Sequence, residues 1–246
     1  MTKTLILIPS RMAATRLPGK PLLKINNLSI ISHVFKRAEE ANIGEVVVAT
    51  DDQEILKDVL KNRGRAILTN KMHKTGTDRI YEAYKKLNIK DVDYILNLQG
   101  DEPDINKNDI INLNNFMIAQ DADLGTLAAK IVEDKMMDNR NVVKVITDEK
   151  LEESNFPKAL NFTRDNLSKD YQNIYHHIGI YSYKINILKK FISLDQTINE
   201  KENKLEQLRA LDNDLKINVA LAKSSPIGVD TEEDYLAIKK IMEYKI

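Results

Sequence analysis

The chain has 246 residues, a length that suffices for one large domain or two small ones. Lysine plus arginine and aspartate plus glutamate both total 37, and this balance disfavours a general binder of nucleic acid or of anionic membranes. The absence of cysteine excludes a disulfide framework and a cysteine-based zinc site, and it fits a reducing compartment.

Hydropathy along the chain gives no sign of membrane insertion or export. No run approaches the roughly 18 apolar residues of a membrane span. The segment before Arg11 is too short for the apolar region of about 7–15 residues that a signal peptide carries. We therefore expect a cytoplasmic protein with no membrane partner.

Over the first 120 residues, short apolar runs alternate with helical patterns. The runs that predict buried strands span residues 4–9, 45–50, 65–69 and 93–100. Between them, apolar spacing predicts helices, the first capped by Ser29 and the third starting near Thr77. This alternation is typical of an α/β fold with a parallel sheet flanked by helices.

The pattern changes beyond residue 120. Four apolar runs follow with little helix between them, and they predict strands in a mixed or antiparallel arrangement, in a lobe inserted on the sheet. These runs span residues 124–132, 141–148, 159–164 and 177–184. The remaining predicted elements are helices near 184–193 and 200–213, a strand at 217–223 and a closing helix at 231–244, capped by Asp230 or Thr231.

A basic loop follows the first strand. Residues 9–22 read PSRMAATRLPGKPL. Ligands bind outside the carboxyl ends of parallel strands, and there Arg11 and Arg16 can each fork onto phosphate oxygens while Lys20 supplies a point charge. A solvated loop with surface ion pairs explains this loop equally well. The chain lacks the glycine patterns of dinucleotide-binding folds and of P-loop nucleotidases, which disfavours both classes.

Two acidic loops accompany the basic one. Asp101 and Glu102 follow Gly100 at the end of an apolar run, and Asp230 follows Gly228 closely. A carboxylate at a strand end beside a phosphate site is an expected ligand for Mg²⁺, which takes one or two carboxylates plus substrate oxygens. The alternative for Asp101 and for Asp230 is a helix N-cap.

Seven motifs occur in an order that points to one family. They read IPSRMAATRLPGKPL, VVVATDD, HKTGTDR, NLQGDEP, HHIGIYSY, LEQLR and GVDTEEDY. Together they resemble the 3-deoxy-manno-octulosonate (Kdo) cytidylyltransferase family from Leu5 to about Leu236. The basic motif is shared with wider sugar nucleotidyltransferases, whereas NLQGDEP, HxGIYxY and LEQLR are more specific to the Kdo enzymes.

The resemblance implies a nucleotide-diphospho-sugar transferase (Rossmann-like) fold with a mostly parallel, mixed sheet. Its core would comprise residues 1–125 and 210–246, and a smaller lobe at 126–209 would serve sugar binding and dimerisation. The implied reaction transfers CMP from CTP to Kdo, releases pyrophosphate and activates the sugar for lipopolysaccharide synthesis. CTP and Kdo are thus the expected small-molecule partners, Mg²⁺ the expected cofactor and a homodimer the expected assembly.

The resemblance also assigns site residues. Asp101 and Asp230 would hold Mg²⁺, and with them the catalytic set comprises Arg11, Arg16 and Lys20. The implied nucleotide-binding residues are Pro9, Ser10, Arg11, Arg16, Lys20, Thr75, Gly76, Arg79, Gln99 and Gly100. The implied sugar-binding residues are Gln99, Arg164, His177, Tyr181, Glu206 and Gln207.

Structural interpretations stand beside several of these assignments. Tyr181 can be a core residue and His177 a satisfied buried histidine, while residues 206–209 can form a solvated helix face. We expect His33 and His73 to be structural or exposed. 

The chain departs from the family pattern in three places. Ala14 stands where a serine is common, His176 stands where another basic residue is usual, and segment 165–173 diverges. Two alternative functions stay open: a cytidylyltransferase for 8-amino-Kdo or a neuraminate, and a non-catalytic nucleotide-binding domain.

Overall fold

The computed structural model describes residues 2–13, 16–166 and 172–244, which divide into two compact units. The first unit comprises residues 1–110 and 226–246, and the second comprises residues 111–225. Ala14 and most of the divergent segment 165–173 lie outside the described residues.

The first unit is built on a parallel sheet. Its strands are β1 (Thr4–Ser10), β2 (Lys24–Ile25), β3 (Leu28–Ser29), β4 (Gly44–Thr50), β5 (Ala66–Leu68) and β6 (Tyr94–Asn97). Strands β6, β1, β4 and β5 lie side by side in that order and run parallel, while β2 and β3 form a separate antiparallel pair. Burial of the apolar run in β1 is nearly complete, as expected for a strand covered on both faces.

The helices of the first unit lie between or after these strands. They are α1 (Ile30–Ala41), α2 (Gln53–Lys61), α3 (Gly76–Leu87), the start of α4 (Lys107–Ala119) and, after the second unit, α9 (Glu232–Glu243). The hydroxyl of Ser29 accepts a hydrogen bond from the Ser32 N–H, so the predicted cap of α1 is confirmed. Of the two predicted caps of α9, Thr231 is the right one.

The second unit contains a mixed sheet. Its strands are β7 (Leu124–Ala129), β8 (Lys144–Thr147), β9 (Ala159–Thr163), β10 (Ile174–Lys184) and β11 (Ile217–Leu221). They lie in the order β11, β7, β10, β8, β9, with β11 parallel to β7 and the other neighbours antiparallel. The predicted α/β class, with parallel strands and a mixed region, is therefore confirmed.

The helices of the second unit correct one prediction. They are α5 (Asp134–Asp138), α6 (Ile185–Ser193), α7 (Ile198–Asn203) and α8 (Leu208–Leu211). A single helix over 200–213 is wrong, because Lys204 adopts a left-handed conformation with φ of 53° and ends α7. Among the described helices, none has the length and apolar character needed to cross a membrane.

Candidate active site

A cleft with a volume of about 590 Å³ opens beside the carboxyl ends of β1 and β6 in the first unit. Every residue assigned above to catalysis, nucleotide or metal lines this cleft. Those residues are Pro9, Ser10, Arg11, Arg16, Lys20, Thr75, Gly76, Arg79, Gln99, Gly100, Asp101 and Asp230. Basic and acidic loops thus meet at one sheet edge, as the position of ligand sites in parallel sheets predicts.

Two glycines permit the backbone conformation and the close packing of the loops beside β1. Gly19 has φ of 72°, a left-handed conformation that glycine adopts without steric cost, and it directly precedes the 3₁₀-helix Lys20–Leu22. At Gly100, a Cβ atom would lie 2.9 Å from the carbonyl oxygen of Pro9. The acidic loop after β6 can therefore approach the end of β1 only with glycine at this position.

Lys20 lies between the two aspartates. Its ammonium is 2.8 Å from Oδ2 of Asp101 and 3.2 Å from Oδ1 of Asp230, while Nη2 of Arg16 is 2.9 Å from Oδ2 of Asp230. Burial alone lowers the pKa of Lys20, but the charges and hydrogen bonds of Asp101 and then Asp230 outweigh it and raise that pKa. The ammonium is therefore charged, and it occupies the point toward which both carboxylates are directed.

The two aspartates are not helix caps. Thr231 caps α9 and forms a reciprocal capping box with Asp234, so the capping interpretation of Asp230 is wrong. Ahead of α4, the side chain of Asn106 accepts a hydrogen bond from the Asn108 N–H, so the capping role falls to Asn106 rather than to Asp101. A backbone hydrogen bond from the Val229 N–H to the Asp101 carbonyl, 2.9 Å long, ties the two acidic loops together.

The donor set of this pair suits Mg²⁺. No group of three or more histidine, aspartate or glutamate side chains that could hold a metal occurs within residues 2–13, 16–166 and 172–244. Two carboxylates completed by phosphate oxygens and water are a ligand set that Mg²⁺ accepts. Asp101 and Asp230 thus fit the Mg²⁺ ion that the sequence predicts.

Glu102 is buried beside Asp101. Burial, and then the negative charge of Asp101, raise the pKa of Glu102 to about 8. Its Oε2 atom has no hydrogen-bond partner among the described residues. At neutral pH this carboxyl is largely protonated, so it adds little negative charge to the aspartate pair.

Arg79 is buried, and its guanidinium joins two loops. It forms an ion pair with Asp51 at 3.1 Å and donates hydrogen bonds to the Thr69 hydroxyl and the Asn70 carbonyl. These partners follow β4 and β5, so Arg79 holds the cleft wall together as well as lining it. Its helix, α3, begins at the cleft with Thr75 as N-cap, which places backbone N–H groups of the first turn there.

Two polar cleft residues were not among the predicted site residues. His73 and Lys74 line the cleft, although His73 was expected to be structural or exposed. His73 Nε2 contacts Glu82, whose carboxylate also pairs with Lys86. Burial opposes ionisation of Glu82, but hydrogen bonds from Lys86, the Asn70 N–H and His73 lower its pKa to about 2. The signal for Lys74 was present, since it lies within the HKTGTDR motif.

The second unit gathers most of the predicted sugar-binding residues. The Tyr181 hydroxyl lies 2.9 Å from Nε2 of His177, and both side chains are buried. Burial, followed by the charges of Tyr183 and Glu206, raises the pKa of Tyr181 well above its usual value. Burial, followed by the charges of His176 and Arg164, lowers the pKa of His177 to about 3. At neutral pH the pair is therefore an uncharged phenol and an uncharged imidazole.

The other predicted sugar-binding residues differ in their surroundings. Arg164 donates from Nη1 to the carbonyls of Arg140 and Asn141. Gln207 is buried, so a solvated helix face is wrong for this position. It is equally wrong for Arg209, whose guanidinium pairs with Glu200 through contacts of 2.8 and 2.6 Å. Gln99 belongs to the cleft of the first unit.

His176, one of the departures from the family pattern, is neutral as well. Burial and then the charge of Lys144 lower its pKa, and Nδ1 is hydrogen-bonded to the Ser225 hydroxyl. The positive charge that a more basic side chain would carry at this position is therefore absent here.

Comparison with known proteins agrees with this geometry. A family model described as cytidylyltransferase matches residues 5–217. The 3-deoxy-manno-octulosonate cytidylyltransferase of Rhodopseudomonas palustris strain BisB18 is 43% identical over 248 residues, which cover 99% of each chain. The enzyme of the same name from Thermodesulfovibrio yellowstonii is 41% identical, over 97% of this chain and 98% of its own.

Solved structures extend the comparison to the fold. The structure of a CMP:2-keto-3-deoxy-manno-octonic acid synthetase complexed with CTP superposes with a TM-score of 0.90 at 32% identity and covers all of both chains. A 4-diphosphocytidyl-2C-methyl-D-erythritol synthase from Anaerococcus prevotii shares the fold alone, with a TM-score of 0.65 at 15% identity over 98% of this chain and 99% of its own. The chain therefore belongs to the cytidylyltransferase family, and within it to the 3-deoxy-manno-octulosonate cytidylyltransferases.

Proposed function

We propose that this protein transfers CMP from CTP to 3-deoxy-D-manno-octulosonate, forming CMP-Kdo and pyrophosphate. The observation that carries the proposal is the cleft of the first unit, where Arg11, Arg16 and Lys20 meet Asp101 and Asp230. The names of relatives with about 40% identity support Kdo as the acceptor, and the bound CTP of the similar structure supports the nucleotide. 

The cationic loop suits the negative charge of CTP. In the reaction, the anomeric hydroxyl of the sugar attacks the α-phosphorus, loses its proton and displaces pyrophosphate in line. Such a transfer needs alignment and charge stabilisation rather than a covalent intermediate. Arg11 and Arg16 are exposed and can fork onto phosphate oxygens, whereas Lys20 contributes a point charge deeper in the cleft. The N–H groups at the start of α3 add further donors.

Asp101 and Asp230 would hold Mg²⁺ once phosphate oxygens complete its coordination. The ion, when bound, would stabilise the negative charge of the phosphates during transfer. For the carboxylates to reach it, Lys20 must leave its position between them. Negatively charged phosphate offers the ammonium a new partner, so nucleotide binding would favour this exchange.

In the second unit, the sugar acid would bind through His177, Tyr181, Glu206 and Gln207, with Arg164 as a further partner. A polyhydroxylated acid needs many hydrogen-bonding groups, and this set supplies donors, acceptors and, in Arg164, a positive charge for the carboxylate. We further propose that the enzyme acts in the cytoplasm as a homodimer in lipopolysaccharide synthesis, in line with the resemblance of its motifs.

A pyrophosphate-release assay with a panel of acceptors tests this function. We expect turnover with CTP, Mg²⁺ and Kdo, and lower kcat/KM with 8-amino-Kdo and with a neuraminate. Asp101→Asn should abolish release, whereas Asp195→Asn, a matched change at an exposed aspartate outside the site, should leave it intact. CTP binding without release by a folded protein would support a nucleotide-binding domain instead, and preference for another acid sugar would replace Kdo as substrate.

A further inference from the structure

A β-bulge shapes the sugar-binding strand. Along the antiparallel pair of β10 and β7, His177 pairs with Ala128, whereas Tyr181 pairs with Thr126 after a shift of register at 178–181. The shift inserts an even number of residues into β10, so His177 and Tyr181 still point to the same face of the sheet. The side chain of Thr126, directly opposite Tyr181, shares that face.

The hydroxyl of Thr126 is fully buried, and besides the Tyr181 hydroxyl it contacts three groups. Its Oγ1 lies 2.7 Å from the carbonyl oxygen of Ile180 and 3.2 Å from that of Ile178, both within the bulge. It also lies 3.1 Å from Nε2 of His177. A hydroxyl has a single proton, and carbonyl oxygens can only accept. The Thr126 hydroxyl donates its proton to the bulge carbonyls. In the contact with His177 it can therefore act only as a hydrogen-bond acceptor.

This constraint determines where the imidazole carries its proton. If Nε2 were bare, it could accept from the Tyr181 hydroxyl, but its lone pair would also face that of Thr126 across 3.1 Å with no proton between them. A proton on Nε2 removes this conflict, and the Tyr181 oxygen at 2.9 Å can accept from the same N–H. The ring is neutral and carries one proton, so Nδ1 is then a hydrogen-bond acceptor. The Tyr181 hydroxyl keeps its own proton for another acceptor.

We propose that Thr126 is a positioning residue that holds His177 as the Nε2–H tautomer, so that Nδ1 accepts a hydrogen bond from a hydroxyl of the sugar acid. The assignment of a sugar acid rests on the proposed function, whereas the tautomer is a property of the free protein. Thr126 acts through His177 and makes no contact with the substrate itself.

Nitrogen-15 NMR of histidine side chains tests the tautomer without substrate. The chain has only four histidines, and His177→Asn identifies the signal of interest. We expect the Nε2–H pattern in the parent protein and in Thr126→Ser. In Thr126→Val, the Tyr181 hydroxyl becomes the remaining partner of Nε2 and can donate to it, so we expect a shift toward the Nδ1–H tautomer. An Nδ1–H pattern in the parent, or an unchanged pattern in Thr126→Val, would overturn the proposal.

Steady-state kinetics tests the consequence for substrate. Loss of one oriented hydrogen bond should raise the KM for Kdo in Thr126→Val about two- to tenfold while the KM for CTP stays unchanged. Thr147→Val is the matched control, since Thr147 is another buried threonine of the second unit whose hydroxyl donates to backbone carbonyls. Thr147→Val should lower the stability about as much as Thr126→Val does. It should leave the KM values for CTP and Kdo and the tautomer of His177 unchanged. An equal rise of both KM values in Thr126→Val, or the same KM shift in Thr147→Val, would indicate a merely structural role. Absence of any turnover with Kdo would contradict the proposed function but leave the NMR result decisive for the tautomer.

Discussion

Replacing Lys20 by methionine should make the free protein a better metal binder, even though Lys20 belongs to the catalytic set. The ammonium lies 2.8 Å from Asp101 and 3.2 Å from Asp230, so it competes with any cation for the same carboxylates. Methionine keeps much of the length of the side chain but removes the charge and the hydrogen bonds. The two carboxylates then repel each other unless a cation joins them.

The magnitude follows from the contact with Asp101. A hydrogen bond between charged groups contributes about 1.5–3 kcal/mol. The Asp230 side chain is 51% exposed, so its pair with Lys20 adds little after screening by solvent. Metal affinity in the absence of nucleotide should therefore rise about tenfold to a hundredfold, since each 1.4 kcal/mol corresponds to about a factor of ten.

Titration calorimetry with Mn²⁺, without CTP, measures this effect. Lys24→Met is a suitable control because Lys24 is an exposed lysine nearby that contacts neither aspartate. It should leave Mn²⁺ affinity unchanged, and Asp101→Asn added to Lys20→Met should abolish the gain. If Lys20→Met binds Mn²⁺ no more tightly than the parent, Lys20 does not compete with a metal at this pair.

Three further predictions concern stability in the second unit, each measured by urea unfolding. His177 has a pKa of about 3 in the folded protein, so below its ordinary pKa of 6.5 it takes up a proton when the protein unfolds. The free energy of unfolding should therefore fall by up to about 1.4 kcal/mol per pH unit as the pH drops from 6.5 toward 3. This slope should be smaller in His177→Asn. An identical slope would show that His177 does not titrate in this way. Lys144 is fully buried and donates hydrogen bonds to the carbonyls of Asn139 and Arg164, so Lys144→Met should lower the free energy of unfolding by about 1–3 kcal/mol. A more stable variant would mean that desolvation of the amine outweighs its hydrogen bonds. Arg209→Met should lower the free energy of unfolding by about 3–5 kcal/mol, because it leaves the carboxylate of Glu200 buried without its arginine partner. Adding Glu200→Gln should restore part of this loss. Full stability of Arg209→Met would contradict the importance of the pair.

The elements that apolar patterning defines were predicted well. Strand β1 was expected at 4–9 and spans Thr4–Ser10, and α9 was expected at 231–244 and spans Glu232–Glu243. The predicted strand at 93–100 was too long, since β6 ends at Asn97. The remaining residues of that stretch turn into the acidic loop, where Gly100 packs against Pro9. Apolar character alone does not distinguish the end of a strand from a buried turn.

The membership of the cleft was predictable, but its internal pairing was not. Strand order in a parallel sheet brings the loops after β1 and β6 together, so Arg11, Lys20 and Asp101 could be placed at one edge. That Lys20 would lie between Asp101 and Asp230 depends on side-chain positions, and no local pattern records them. 

The same limit applies to the wall of the cleft. Arg79 contacts Asp51 and Thr69, which come from separate loops, so their contact follows only from the folded arrangement. In the second unit, the bulge that directs backbone carbonyls toward Thr126 has a single sequence cue, Gly179, and this cue was not recognised. The roles of the predicted nucleotide-, sugar- and metal-binding residues stay predictions.

The central claim is tested most directly by identifying the products of one reaction. The purified protein, CTP, Mg²⁺ and Kdo are incubated, and the mixture is followed by phosphorus-31 NMR and mass spectrometry. The account predicts one CMP-Kdo and one pyrophosphate for each CTP consumed, and no reaction in Asp101→Asn. Free CMP without a sugar nucleotide at early times, or full activity of Asp101→Asn, would contradict it.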